Sequence, residues 1–247
     1  MKQQLNKLFS KFGFQIHGIG YIQKLINTQK FIDPFQVQKS IIPCPTLIID
    51  VGSNRGDVTS KYLELFPSVY IHAFEPYSDS YTIFEKLFGH NKKIVLNKYA
   101  LSSDTNDKQL HINKSVDTNS FLESTLLGVS SDKSCTTTGK VLVKCDTLDN
   151  YCKKEGIETI DILKIDTQGF EIEILKGASH LLKENKIKMI YCEAYFQCQY
   201  KSQPLFQDIL QYLSSYNYVL QDLYDPYYGD NNLLWCDAIF VLKNKVA

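Results

Sequence analysis

Residues 47–76, LIIDVGSNRGDVTSKYLELFPSVYIHAFEP, constrain this chain more than any other stretch. The short apolar run Leu47-Ile48-Ile49 suits a parallel strand buried on both faces. Asp50-Val51-Gly52-Ser53-Asn54-Arg55-Gly56 follows as a turn. Gly52 and Gly56 can take positive φ and let a ligand approach the backbone, and Asn54 is among the few other residues that tolerate the left-handed region. The next helix carries Val58, Tyr62, Leu65 and Phe66 on one face. Its first amides point at whatever lies over the glycines. A second strand, Tyr70 to Phe74, ends on Glu75-Pro76, and an acid there can accept both hydroxyls of a ribose. Strand, glycine turn, helix and strand-end acid together predict a nucleoside-containing cofactor. The spacing D-x-G-x-N-x-G lacks the G-x-G-x-x-G of a dinucleotide site, which argues against a nicotinamide cofactor.

The chain has 247 residues, enough for one α/β domain and an extension. Lys plus Arg total 27 and Asp plus Glu total 27, so charge gives no case for nucleic acid as the main partner. No apolar run approaches the ~20 residues of a membrane span. The basic start, MKQQLNKLFSKFGF, is followed by no apolar signal core and cleavage site, so a cytoplasmic location is the expectation. The seven cysteines form no C-x-x-C pair, which weakens zinc and thioredoxin-like readings. Cys44, Cys145, Cys192 and Cys236 adjoin apolar runs and are expected to be buried.

Two regions follow from the pattern: an N-terminal helical extension, residues 1–45, and a main domain, residues 46–247. In the extension, Leu5, Leu8, Phe9 and Phe12 fall at helical spacing, which suits a helix packed on the domain edge or, alternatively, a substrate lid or a homodimer contact. Ile32-Asp33-Pro34-Phe35 reads as a helix entry. Beyond Pro76, Ser78 can cap a helix ending at Gly89. A third strand opens at Ile94-Val95-Leu96 and runs on toward Ala100-Leu101, whose backbone is expected to meet an adenine. Residues 104–140 form a polar insertion, expected to border the acceptor pocket and hardly touch the cofactor. Residues 161–166 and 188–193 make the fourth and fifth strands. Tyr218-Val219-Leu220 and residues 237–242 close the chain as two strands with no helix between them, which implies an antiparallel hairpin. The fold expected is α/β and Rossmann-like: a seven-stranded, mainly parallel sheet with a terminal antiparallel hairpin and helices on both faces. That is the shape of a class I methyltransferase.

Several blocks, in order, resemble the FkbM family of S-adenosylmethionine-dependent methyltransferases. They are DVGSNRGD at 50–57, AFEP at 73–76, NKYALSS at 97–103, DTLDNY at 146–151, IDILKIDTQGFEIEILKGA at 160–178, and the strand end at Glu193. The resemblance spans roughly residues 47–242 and implies O-methylation, often of a sugar or polyketide hydroxyl. The segment at Ile32–Phe35 is similar to what precedes the domain in members linked to surface-glycan synthesis. The cofactor it implies is S-adenosyl-L-methionine, with Asp50, Gly52, Ser53, Asn54, Gly56, Glu75, Pro76, Ala100, Leu101 and Asp166 around it. The acceptor is expected to be a small molecule or glycan.

Methyl transfer from a sulfonium needs an aligned acceptor oxygen and removal of its proton. Asp166 and Glu193 end the fourth and fifth strands and are the available bases. In the alternative, the two acids hold a divalent cation. Ala194 stands where a metal-dependent pattern would place a third acid or Asn, so the metal-free reading is preferred. Lys164, in an apolar strand, either pairs with an acid at the site or snorkels to the edge. The competing functions are a nicotinamide-dependent oxidoreductase, disfavoured by the turn spacing and the hairpin, and a catalytically silent subunit that keeps the cofactor fold.

Overall fold

The computed structural model describes residues 33–243. The expected helix carrying Leu5, Leu8, Phe9 and Phe12 lies outside the described residues. The described chain starts on helix α1 (Pro34–Ile41), with proline at its first turn, where its missing N–H costs nothing. Strand β1 (Leu47–Val51) and helix α2 (Asp57–Leu65) follow, then β2 (Tyr70–Phe74), α3 (Ser78–Phe88) and β3 (Ile94–Asn97). After a connecting region come α5 (Leu148–Glu155), β8 (Ile160–Ile165), α6 (Glu171–Lys176), α7 (Ser179–Lys183) and β9 (Ile187–Tyr195). Helix α8 (Phe206–Ser214) and strands β10 (Tyr218–Gly229) and β11 (Asn232–Leu242) complete the domain.

Seven strands form one sheet in the order β10-β11-β9-β8-β1-β2-β3. The β1–β2, β2–β3, β1–β8 and β8–β9 pairings are parallel. Strand β11 runs antiparallel to β9, and β10 antiparallel to β11, as the missing helix between them required. The central strands are apolar on both faces because both faces are covered. Ile48, Ile71, Ile162 and Met189 pack with Tyr62 and Phe66 from the α2 segment. Ile49, Leu163, Ile165 and Ile190 pack with Leu148, Ile174, Leu175, Leu182, Ile209 and Leu213 from helices on the opposite face. Strand order reverses between β1 and β8, and the crevice at their C-terminal ends is where open α/β sheets place ligands.

Three expectations change. The third strand stops at Asn97 rather than continuing. Strand β2 ends at Phe74, the Glu75 amide donates to the Asn97 carbonyl at 3.0 Å, and the next amide on that side, Tyr77 N, donates to Glu75 Oε1 instead of continuing the ladder. Ala100 and Leu101 instead form β4 (Ala100–Leu101), which pairs with β7 (Cys145–Asp146) in a separate two-stranded sheet. Second, Ser78 is the first helical residue of α3 and makes no side-chain cap; Tyr77 occupies the cap position, and its amide donates to Glu75 Oε1 at 2.8 Å. Third, Cys44 is exposed, because it sits between two prolines in the irregular entry to β1, whereas Cys145, Cys192 and Cys236 are buried.

The polar insertion is an ordered substructure. Strands β5 (Lys108–Asn113) and β6 (Thr137–Val143) pair antiparallel. A 3-10 turn at Val116–Thr118 and helix α4 (Leu126–Ser131) lie between them. Among the described residues, no helix is long and apolar enough to cross a membrane.

Candidate active site

The glycine turn adopts the backbone its residues favour. Gly52 has φ +73°, and the Gly52 and Ser53 amides both donate to the Phe74 carbonyl at 3.1 Å. A Cβ at Gly52 would lie 1.9 Å from the Asp166 carbonyl oxygen, so only glycine lets the turn pass this close to the end of β8. Asn54, at φ +47°, is left-handed as its identity allows. Gly56, at φ +95°, precedes α2; a Cβ there would strike Phe88 at 2.4 Å, so its role is helix entry and packing.

Glu75 is buried at the end of β2 and turned toward this loop. Its Oε2 accepts from the Asn54 amide at 2.9 Å, and its Oε1 from the Tyr77 amide at 2.8 Å. Burial pushes its pKa up to about 7, against the lowering effect of those two hydrogen bonds. The Asn54 side chain accepts from Ser80 Oγ at 2.7 Å and donates to Asp117 Oδ1 at 2.5 Å. Asp117 belongs to the insertion's 3-10 turn, so the insertion is latched directly to the glycine turn.

A cavity of about 230 Å³ opens over this loop. Gly52, Ser53 and Asn54 line it from the turn, Glu75 and Pro76 from β2, and Lys164, Asp166, Thr167 and Gln168 from β8 and its exit. Leu110, Val116, Asp117, Asn119 and Phe121 line it from the insertion. The insertion therefore shares this cavity with the glycine turn. The Asn54–Asp117 contact, 63 residues apart in sequence, brings the two together.

A second cavity of about 160 Å³ lies beyond Asp166. It is lined by Tyr191 and Glu193 of β9, Asp225 of β10 and Asp237 of β11, and it shares Val58, Lys164 and Asp166 with the first. The Asp166 side chain is 45 % exposed, so this carboxylate is open where the two cavities meet. Lys164 enters from beneath. Its Nζ lies 3.1 Å from Asp50 Oδ1 and 3.7 Å from Asp166 Oδ2, and it donates to the Gly52 carbonyl at 2.9 Å. Burial works against the Lys164 charge, but Asp50 and then Asp166 outweigh it and raise its pKa. The lysine thus takes the paired reading.

The exit from β8 is a strained turn. Gln168 stands at φ +56° and Gly169 at φ +93°. Buried Glu171 holds it: one carboxylate oxygen accepts from Thr167 N at 3.0 Å, Thr167 Oγ1 at 3.1 Å and Gly169 N at 3.1 Å. Burial raises the Glu171 pKa to about 7 despite these donors. The Gln168 side chain reaches both strand-end acids, donating to Asp166 Oδ1 at 3.2 Å and to Glu193 Oε2 at 3.0 Å. Tyr195 OH donates to Glu193 Oε2 at 2.6 Å. Burial first, then the charges of Asp166 and Glu171, push Glu193 well above the usual carboxylate range. Asp237 accepts from Tyr191 OH, and burial raises its pKa to about 6.

Of the residues the sequence pointed to, Gly52, Ser53, Asn54, Glu75, Pro76 and Asp166 line the first cavity and Glu193 the second. Asp50 lies fully buried under the turn, bonded to Thr59 Oγ1 at 2.7 Å and paired with Lys164. Ala100 and Leu101 are buried in β4 and line neither cavity. Sequence reasoning missed Gln168, Asp117 and Asp237. Gln168 stood inside the most specific sequence block, and Asp237 is an acid in an apolar strand, so both carried a signal; Asp117 carried none. Among the described residues, no three His, Cys, Asp or Glu side chains form a set that could hold a metal ion.

The parallel sheet with its closing hairpin, and the acid-lined crevice at the strand ends, define a class I S-adenosylmethionine-dependent methyltransferase. The chain belongs to the FkbM methyltransferase family: the family model described as the methyltransferase FkbM domain matches residues 50–220. It is similar to a 2-O-methyltransferase, NoeI, of Sinorhizobium fredii (strain NBRC 101917 / NGR234), with 26 % identity over 181 residues, covering 71 % of this chain and 74 % of that protein. Among solved structures, the METTL16 methyltransferase domain superposes with a TM-score of 0.50 at 11 % identity, covering 86 % of this chain and 68 % of that one, a likeness of fold.

Proposed function

We propose that the protein methylates a hydroxyl of a sugar or glycan-type acceptor, with the cofactor in the cavity over the glycine turn and proton removal by Asp166. The observation that carries this reading is the position of Asp166, an open carboxylate lining both cavities. The donor set suits the cofactor. Each Glu75 oxygen takes one backbone amide and keeps acceptor capacity on its other lone pair, which matches the two hydroxyls of a ribose. The positive-φ turn at Gly52 brings the backbone close to the same space.

When bound, S-adenosylmethionine supplies an electrophilic methyl group. The chain's own work is to align the acceptor oxygen and take its proton. Asp166 is suited to taking the proton, because Lys164 and Gln168 hold its two oxygens and nearly half its side chain is open. Removing such a base costs about 10²–10⁴ in rate. Glu193 is enclosed by Tyr195 and Gln168 and pushed toward its neutral form, so it is assigned to holding the constellation rather than to accepting the proton. A hydroxyl acceptor is supported by the carboxylates of the second cavity, and by the 2-O-methyltransferase among the relatives.

The test is mass spectrometry of glycan extracts from cells with and without the protein. A glycan heavier by one methylene, located on oxygen, is the expected result, and it should vanish with Asp166→Asn. Methylation on nitrogen or carbon, or normal methylation by Asp166→Asn, would overturn the reading.

A further inference from the structure

The amide of Gln168 touches both strand-end acids, and neither cofactor binding nor proton removal accounts for it. Its two N–H groups are shared between Asp166 Oδ1 at 3.2 Å and Glu193 Oε2 at 3.0 Å. Its carbonyl oxygen accepts from Tyr200 OH at 2.8 Å, with Tyr195 OH 3.2 Å away and donating to Glu193 Oε2. Its backbone carbonyl accepts from Ser120 Oγ of the insertion at 2.7 Å. The residue also keeps a left-handed backbone, φ +56°, a region uncommon for a side chain other than Gly, Asn or Asp. Such a conformation persists where the surroundings over-determine it, and these four hydrogen bonds do so.

We propose that Gln168 is a positioning residue for methyl transfer, an amide clamp that ties Asp166 to Glu193 and aims the Asp166 carboxylate at the acceptor hydroxyl. The inference rests on the proton-removal role proposed for Asp166. The chemistry requires an amide at this place. With Glu193 held toward its neutral form, Asp166 is the acid left open, and what it needs from a neighbour is a fixed orientation rather than a further charge. A neutral group with two N–H donors satisfies both acids without adding charge. The Tyr200 hydroxyl fixes the amide from behind, with its N–H groups toward the acids. The titratable groups around Asp166 are Lys164 on its own strand, Asp50 through that lysine, Glu171 of α6, Glu193 of β9, Asp225 of β10 and Asp237 of β11.

The experiment uses the full chain and S-adenosylmethionine carrying a labelled methyl group, with a glycan extract from cells lacking the protein as acceptor. Initial rates at limiting extract give the kcat/KM profile against pH for the wild type, Gln168→Met and Tyr200→Phe. Methionine matches glutamine in length but donates nothing. The acid limb of the profile should move up in Gln168→Met and by less in Tyr200→Phe, because the pair of acids loses its shared donor. Affinity for S-adenosylhomocysteine, measured by calorimetry, should stay within about threefold, a change of under 1 kcal/mol. A fall in rate with an unmoved acid limb in both variants, while Asp166→Asn is inactive, would overturn the clamp and leave the base intact. Full turnover by Asp166→Asn would overturn the base and the clamp with it.

Discussion

Lys164 Nζ lies 3.1 Å from Asp50 Oδ1 directly beneath the glycine turn, with the two side chains only 4 % and 0 % exposed. The same ammonium donates to the Gly52 carbonyl. One buried pair therefore joins β1 to β8 and sets the floor of the cavity. Truncating one partner of such a pair leaves the other charge buried and alone. Lys164→Met should destabilise the fold by about 3–5 kcal/mol in urea unfolding. Adding Asp50→Asn, which removes the orphaned charge and keeps an acceptor for Thr59, should recover most of that loss. An undiminished loss in the double variant would mean that the bond to Gly52, not the pair, is what matters.

Glu75 makes the affinity for cofactor depend on pH. Its pKa is raised to about 7 in the free protein, and the ionised form is the one that accepts from two hydroxyls. S-adenosylhomocysteine should bind more tightly as pH rises from about 6 to 8 in calorimetry. Glu75→Gln should abolish that dependence and weaken binding by about 1.5–3 kcal/mol. Wild-type affinity in this variant would remove Glu75 from the ribose site.

Glu171 ties stability to pH with a sign opposite to that of most carboxylates. Burial raises its folded-state pKa from 4.5 to about 7. Between those values the folded chain holds a proton that the unfolded chain has released, so stability falls as pH rises through the window. Relative to Glu171→Gln, which cannot titrate, the wild type should gain about 1–3 kcal/mol as pH drops from about 7.5 to 5. The comparison with the variant cancels His72 and His111, whose pKa values burial lowers and which act in the other direction. A wild-type advantage that shrinks toward pH 5 would show that the three donors to Glu171 keep it ionised.

The insertion should influence the cofactor as well as the acceptor. Asp117→Ala removes the bond to the Asn54 side chain and frees the 3-10 turn from the glycine loop. S-adenosylhomocysteine affinity should fall about fivefold, equivalent to roughly 1 kcal/mol for one hydrogen bond. If affinity stays at the wild-type value while acceptor turnover falls, the insertion serves the acceptor alone.

The sheet was legible in the sequence because local pattern and topology coincide there. Strands buried on both faces read as apolar runs, the positive-φ turn demands Gly52 and Asn54, and two late strands without a helix must pair antiparallel. Glu75 and Asp166 could be placed because the C-terminal ends of parallel strands converge on one crevice. The chain order carried no comparable signal for what crosses between elements. Asp117 meets Asn54 across 63 residues, and Gln168 meets Glu193 across 25. Ala100 and Leu101 pair with β7 rather than extending β3, because the Tyr77 amide that would carry the ladder on is taken by Glu75 Oε1. Hydrophobic periodicity and turn chemistry act over a few residues, so they determined the frame. Charge pairing and side-chain hydrogen bonds act through space, so only the tertiary structure decided which acid stays open, which is enclosed, and which amide joins them.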